Sequence, residues 1–279
     1  MPEGDTIFRA ARTLHRALAG RTITRFESVF PHLTRVDDDS PLRGRIVEGV
    51  ESRGKHLLIR LSGDLVLRTH MRMNGSWHIY RRGERWFRPR HEMRIVLETD
   101  AFEAVAFNVP VAELAAAERV LGAGPVRQLG PDPLSPDFEA SEAVDRILAR
   151  ADGEIADVLL DQTAIAGIGN IFKSEVLFVA RIDPFTAVGS LARADVERIV
   201  SEAVRLMRAN TAGGARGGIT TYGGLRRRPT RDDPGARNWV YGRARRPCRR
   251  CGTPISWRKQ GQHARSTYWC EHCQGRSRV

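Results

Sequence analysis

The chain has 279 residues, 45 Lys or Arg against 33 Asp or Glu, and a formal net charge of +12. That length holds two domains and a small module, and that charge points to a polyanionic partner. No apolar run can span a bilayer, since the best, 101 to 117, is broken by Glu103, Asn108, Pro110 and Glu113. The amino end carries Glu3 and Asp5 instead of a basic-then-apolar leader, and all 4 cysteines lie in the last 32 residues, so the chain is expected in the cytosol without a disulfide framework.

The charge is unevenly placed. From Arg205 to the end there are 18 Lys or Arg against 3 Asp or Glu, while the first 204 residues hold 27 against 30. A basic carboxy-terminal third on a near-neutral body is the footprint of a nucleic-acid-binding surface. Only Lys55, Lys173 and Lys259 are lysines; an arginine-preferring genome explains that choice of cation but not its clustering.

The chain opens Met1-Pro2-Glu3-Gly4. Removal of the start methionine leaves Pro2 with a free secondary amine, whose pKa near ~8 keeps a useful fraction unprotonated at neutral pH. Such an amine adds to an aldehyde-like carbon to form an iminium, an electron sink that labilises bonds two atoms away. Glu3, next in line, can move the protons. A terminal Pro-Glu is also what an ordinary loose chain end looks like, so these residues need support from elsewhere.

Ile7, Ala10, Ala11, Leu14, Ala17 and Leu18 recur at helical spacing and Gly20 closes the run, which predicts a helix over 6–18 with the amine at its mouth. From Thr22 to Thr99 the pattern changes to short β-rich segments, 45–50, 56–61, 65–69 and 93–97, separated by turn signals at 52–54, 62–64, 74–75 and 82–83. Closely spaced strands predict an antiparallel sandwich. Lys55 falls at a hairpin tip, where it is either solvated or paired with a phosphate. In His70-Met71-Arg72-Met73-Asn74-Gly75 the methionines are core residues or an exposed apolar wedge of the kind inserted into a DNA stack. The stretch 101–123 is ambiguous.

Gly130-Pro131-Asp132-Pro133-Leu134 breaks the chain and is expected to be a linker. Helices are expected over 141–150, 155–161, about 170–179 and 194–209. The turn Ala164 to Asn170 puts glycines where backbone can approach a partner, with Asn170 at the N-cap position, so amides at a helix start could hold an anion; an ordinary capped helical hairpin reads the same. Glycine-rich 211–224 reads as a mobile loop, either a lid or a tether.

Cys248-x2-Cys251, 18 intervening residues, then Cys270-x2-Cys273 is the spacing of a four-cysteine zinc ribbon. Four thiolates leave no open position, which makes the expected Zn2+ structural. His272 is expected to face solvent. Arg258, Lys259, His263 and Arg265 between the knuckles make a basic hairpin suited to phosphate contact.

Four stretches together carry a resemblance: Met1-Pro2-Glu3-Gly4, Arg53-Gly54-Lys55-His56-Leu57-Leu58, Leu160-Asp161-Gln162 through Gly167-Ile168-Gly169-Asn170-Ile171-Phe172-Lys173-Ser174-Glu175, and the ribbon introduced by Val240-Tyr241-Gly242-Arg243. In this order they resemble the formamidopyrimidine-DNA glycosylase and endonuclease VIII family over essentially the whole chain. The resemblance implies a multidomain α+β fold: a catalytic β-sandwich with an N-terminal helix over 1–129, a helix-two-turn-helix domain with the glycine-rich loop over 130–235, and a zinc ribbon over 236–279. DNA would cross a cleft between the lobes. Pro2 would attack the sugar C1′ of a damaged nucleotide, Glu3 would protonate the opening ring, and eliminations would cut the strand on both sides. Lys55, Asn170 and Arg265 match positions that grip phosphates around an everted nucleotide, whose eversion is easiest at a damaged base. The partner is then damaged or abasic duplex DNA in a bacterial cytoplasm, met by a monomer.

Two departures from the family pattern stand out, the first at a position expected to relay protons and the second bearing on substrate. A glutamate usual three residues after Glu3 is Thr6 here. The purine-type branch fills the gap left by the flipped base from an Asp-Pro-Arg-Arg-Phe-Gly segment, whereas this chain has Phe107-Asn108-Val109-Pro110-Val111-Ala112. Gap filling then falls to Arg72 and Met73, with Asn74 beside them, as in endonuclease VIII, and oxidised pyrimidines are the expected lesions. Oxidised purines are the alternative; a non-catalytic nucleic-acid-binding protein is a third reading, separated by whether the Pro2 amine reacts.

Overall fold

The computed structural model describes residues 2–211, 219–222 and 237–275; most of glycine-rich 211–224 lies outside the described residues. The chain forms two compact units, Met1–Gln128 and Leu129–Val279.

The first unit opens with helix α1 (Gly4–Leu18), whose Ile7, Ala11, Leu14 and Leu18 are buried on one face as their spacing requires. Strands β1 (Arg25–Ser28), β2 (Val47–Arg53), β3 (His56–Leu61), β4 (Leu65–His70), β5 (Ser76–Arg81), β6 (Met93–Glu98), β7 (Phe102–Phe107) and β8 (Val111–Ala116) follow. They make two four-stranded antiparallel sheets, ordered β1-β6-β7-β5 and β2-β3-β4-β8. Leu57, Ile59 and Leu67 of one sheet and Ile95, Leu97, Ala104 and Ala106 of the other share a core with α1, so the expected sandwich is present with the helix inside its apolar packing. Each large side chain sealed there contributes roughly 1.5–3 kcal/mol of apolar burial.

Two expectations differ from the structure, and one open stretch is resolved by it. A helix, α2 (Pro31–Asp39), interrupts the stretch taken as all-β; Pro31 opens it and Leu33 anchors it in the core. The strand expected over 45–50 is β2 at Val47–Arg53, with a bulge between Val47 and Gly49. Ambiguous 101–123 resolves into β7, β8 and a short α3 (Ala117–Gly122).

The second unit contains α4 (Ala140–Leu148), α5 (Ile155–Val158), α6 (Asn170–Ala180) and α7 (Arg193–Ala209), packed around Ile155, Ile165, Phe172, Val176, Ile199 and Ala203. Of the helix expected over 155–161 only one turn forms, because Leu160 and Asp161 close turns onto Asp157 and Val158. Gly130 is no free linker: its N–H donates to the Gln162 carbonyl at 2.8 Å, and a Cβ there would lie 2.7 Å from Ala164 backbone. The unit ends in a hairpin of β9 (Ser256–Gln260) and β10 (Arg265–Trp269) and a turn of helix, α8 (Glu271–Gln274). No helix among the described residues is long and apolar enough to cross a membrane.

Candidate functional site

In the first unit, Glu3 is the N-cap of α1 in extended conformation, its carbonyl accepting the amides of Thr6 at 3.0 Å and Ile7 at 3.1 Å. Its side chain is fully buried, while Pro2 beside it is half-buried. The helix start thus fixes a shielded carboxyl next to the nitrogen that the sequence marks as nucleophile. Asp5, which sequence reasoning passed over, is also fully buried. Burial pushes its carboxyl pKa up, against the Arg9 guanidinium 3.1 Å away and hydrogen bonds from Thr6. An acid in a first helical turn reads as a dipole partner, so nothing in the sequence singled it out.

Lys55 occupies the two-residue turn between β2 and β3, where Gly54 takes φ +56° as the tight turn demands. It is half-buried rather than solvated. Next to it stand two histidines the sequence reading did not use. His56 and His70 face each other across β3 and β4, their rings edge to face with centroids 5.0 Å apart. Arg68 bonds His56 Nδ1 at 3.2 Å and the Glu113 carboxylate at 2.8 Å. Burial, then the neighbouring His70 and the cations Arg68, Arg72 and Lys55, pushes His56 down to about 3. Burial followed by Arg72, Lys55 and Arg68 pushes His70 down to about 4. At neutral pH this is a neutral imidazole pair among cations, a field that favours an incoming anion.

The β4–β5 turn presents Arg72, Met73 and Asn74 to solvent, whereas Met71 is buried in the core. Met73 is 58% exposed, an apolar side chain outside the buried core of the unit. Arg72 is held at φ +51°, an uncommon conformation for a side chain with a Cβ, which stores about 1 kcal/mol or more. Gly75 closes the turn because a Cβ there would lie 2.5 Å from the Met71 carbonyl oxygen. Phe107, by contrast, is fully buried against Trp86 and His78, which removes it as a wedge.

In the second unit, Asn170 is the first residue of α6 and not its cap. Gly169 takes the extended cap conformation, at φ −117° and ψ −163°. The turn before it is braced by Gln162, whose amide donates to the carbonyls of Leu160 and Ile168 and accepts the Gly167 N–H at 3.0 Å. Asn170 is buried, and its Oδ1 has no hydrogen-bond partner among the described residues. Further along α6, Glu175 is fully buried and accepts the Thr221 hydroxyl and the amides of Trp239 at 2.7 Å, Val240 at 2.9 Å and Tyr241 at 2.8 Å. Burial pushes its carboxyl pKa up and these donors oppose the rise. One side chain therefore fixes the segment leading into the ribbon against the helix carrying Asn170.

The ribbon brings all four cysteines together, their Sγ atoms within 4.8 Å of one another. Cys248 to Cys273 is 3.9 Å and Cys251 to Cys270 is 3.4 Å, against about 3.8 Å between sulfurs of a tetrahedral zinc site with bonds near 2.3 Å. The four-thiol set fits one closed metal site. His272 is exposed and outside the cluster, as expected. Arg265 is exposed at the start of β10, on a hairpin whose Gly261 packs where a Cβ would lie 2.6 Å from Asp157 Oδ1.

Residues 1–110 match the model of the formamidopyrimidine-DNA glycosylase N-terminal domain, and residues 129–221 that of the formamidopyrimidine-DNA glycosylase H2TH domain. The chain is 41% identical to probable endonuclease 8 2 of Streptomyces coelicolor, over 98% of this chain and 94% of that one. It is 40% identical to DNA-(apurinic or apyrimidinic site) lyase Nei2 of Mycolicibacterium smegmatis, over 98% and 99%. Among solved structures, a Lactococcus lactis FPG mutant in complex with a Fapy-dG containing DNA superposes with a TM-score of 0.81 at 25% identity, covering 99% of this chain and all of that one. The fold and these likenesses define the class as DNA glycosylases that are also AP lyases. Within that class the chain belongs to the formamidopyrimidine-DNA glycosylase family, with curated endonuclease 8 relatives at about 40% identity over nearly its full length.

Proposed function

We propose that this chain is a base-excision-repair enzyme that removes oxidised pyrimidines and cuts the resulting abasic site through a Schiff base on Pro2. The observation that carries the reading is the start of α1, where a fully buried glutamate stands beside a half-buried proline. With Met1 removed, the neutral Pro2 nitrogen attacks C1′ as the bond to the damaged base breaks, and the N–H proton that the amine then sheds is taken up by the departing base. Glu3, kept from water, gives its proton to the ring oxygen as the sugar opens, and the nitrogen lone pair forms the iminium. Loss of a C2′ proton expels the 3′ phosphate and a second elimination expels the 5′ phosphate; water then releases the amine.

Lys55 and the neutral histidine pair beside it offer one phosphate-binding locus, Asn170 and Arg265 another. Arg72 and exposed Met73 are suited to fill the gap left by the everted nucleotide. That turn, with Phe107 buried and the endonuclease 8 relatives, favours pyrimidine lesions. Cys248, Cys251, Cys270 and Cys273 would hold one zinc ion, which supplies a cross-link and no reactive position. The working unit is a monomer with segments 1–129, 130–235 and 236–279 serving as catalytic, helical and ribbon parts.

Borohydride trapping tests the chemistry. An oligonucleotide with an abasic site, incubated with the protein and reduced, should yield a covalent complex whose cross-linked peptide begins at Pro2. Intact DNA binding with Met1 removed but no cross-link would leave a binding protein instead. Excision of 8-oxoguanine far faster than thymine glycol would overturn the lesion assignment alone.

A further inference from the structure

Residues 82–92, between β5 and β6, take no part in the chemistry above and are built unlike a solvent loop. β5 and β6 both pair antiparallel with β7, so the two run parallel and the chain must cross the sheet from the Phe102 end to the Phe107 end. Along that crossing Trp86 turns inward. Its Nε1 donates to Glu103 Oε2 at 2.9 Å, and its ring meets Phe107 edge to face at 5.6 Å, joining Tyr80, Met93, Val96 and Val105 in a small core. Phe87 turns outward and is 85% exposed. Its backbone is pinned nonetheless, the N–H donating to the Tyr80 hydroxyl at 3.3 Å. The molecule thus holds a bare aromatic face on an anchored support.

Arg85, Arg88 and Arg90 line one open surface pocket with that ring. From Arg81 to Arg94 there are six arginines against Glu84 and Glu92. Arg88 is held by Glu92 at 2.7 Å, and Arg90 by Glu27 at 3.3 Å and over the Trp86 ring at 5.6 Å. Arg85 is exposed, and among the described residues nothing pairs with it. An exposed aromatic beside unpaired arginine is the element from which single-strand contacts are made: the ring takes a base face and the cation the adjoining phosphate.

We propose that Phe87, with Arg85 and Arg90, is a second nucleic-acid contact that stacks an unpaired base of single-stranded DNA. It lies on the sheet face away from the core shared with α1, because Phe107, Val105 and Tyr80 point to it while Ala104, Ala106 and Ile95 point to that core. A protein partner is a poorer fit, since a stable interface covers about 800 Å² on each side and this patch is one ring with a few cations. The occupant's identity rests on the DNA-directed reading above, but the contact does not depend on the Pro2 chemistry.

The test uses the full chain and an oligothymidylate of about ten nucleotides carrying 5-iodouracil, a length suited to one single-strand contact. Irradiation should cross-link a peptide within 82–92. By fluorescence anisotropy Phe87→Ala should weaken oligothymidylate binding roughly tenfold, with Phe87→Trp restoring it. Arg85→Ala should lower the salt dependence by about one phosphate contact. Cleavage of a duplex abasic site should be unchanged in all three. A cross-link only outside 82–92, wild-type affinity in Phe87→Ala, or equal competition by polyglutamate would overturn the proposal. So would parallel loss of duplex cleavage in Phe87→Ala. Phe87-dependent binding by a protein that forms no Pro2 adduct would overturn the lyase reading and leave this contact standing.

Discussion

Lys173 donates its ammonium to the Thr267 hydroxyl at 2.7 Å and to the Ser266 carbonyl at 3.3 Å from a side chain with no exposed surface. Through this pair α6, which begins at Asn170, is fastened to the ribbon strand that begins at Arg265. Taking an ammonium out of water costs several kcal/mol unless its donors are met, so the partner matters more than the charge. Thr267→Val should lower unfolding stability by about 1–3 kcal/mol, and Lys173→Met, which removes the buried charge with its need for partners, by less. Urea denaturation gives the order, and a much larger loss in Lys173→Met would contradict it.

The His56–His70 pair makes stability depend on pH. Both pKa values, about 3 and about 4 in the fold, lie below the ordinary histidine value of 6.5. The unfolded chain therefore binds protons first as pH falls. Stability is full above pH 6.5 and drops as the pH falls from there towards the folded values, by up to about 1.4 kcal/mol per pH unit for each histidine. A His56→Asn, His70→Asn double variant should flatten that slope in thermal scans from about pH 7 to about pH 4.

Glu3 is assigned the proton donation that opens the sugar. Glu3→Gln should slow base excision by roughly 10²–10⁴-fold. Cleavage of a preformed abasic site should suffer less, because its sugar already equilibrates with the open aldehyde and needs no donated proton to open. Single-turnover assays on a thymine glycol duplex and an abasic duplex separate the two, and equal losses would assign Glu3 a structural role.

At the β4–β5 turn, Met73→Ala should reduce excision from duplex substrates while sparing the same lesion in a single strand, which leaves no duplex gap to fill. Arg72→Gly should remove the strain of φ +51° and raise thermal stability slightly while reducing excision. A loss of stability in Arg72→Gly would show that the guanidinium holds the turn.

Metal analysis should find one zinc ion per chain. Cys248→Ser or prolonged chelation should unfold the ribbon and weaken DNA binding by roughly tenfold or more, leaving the first unit folded. A protein that keeps its melting profile and affinity without metal would refute the structural zinc site.

Much of this architecture was legible along the chain. Helical spacing marked α1 and α7, alternation and turn residues marked β3 and β4, and the cysteine pairs marked the ribbon, because each signal is confined to a few neighbouring residues. The helix α2 carries only a weak local mark inside a β-rich stretch, and 155–161 has more helical spacing than helix, since tertiary packing overrides weak local preference. Asn170 was given the cap that Gly169 takes, a one-residue difference set by backbone conformation.

By itself, then, the sequence determined the order of the parts, the Pro-Glu pair proposed for catalysis near one end and the four thiols near the other, because spacing and residue type are local properties. Only the tertiary structure decided which polar groups lose water. Glu3 and Glu175 sealed from solvent, Lys173 beneath a hydroxyl 94 residues away, two histidines paired across a sheet and Phe87 left bare all depend on contacts between distant segments. Burial sets the protonation and reach of such groups, and burial is a property of the folded chain.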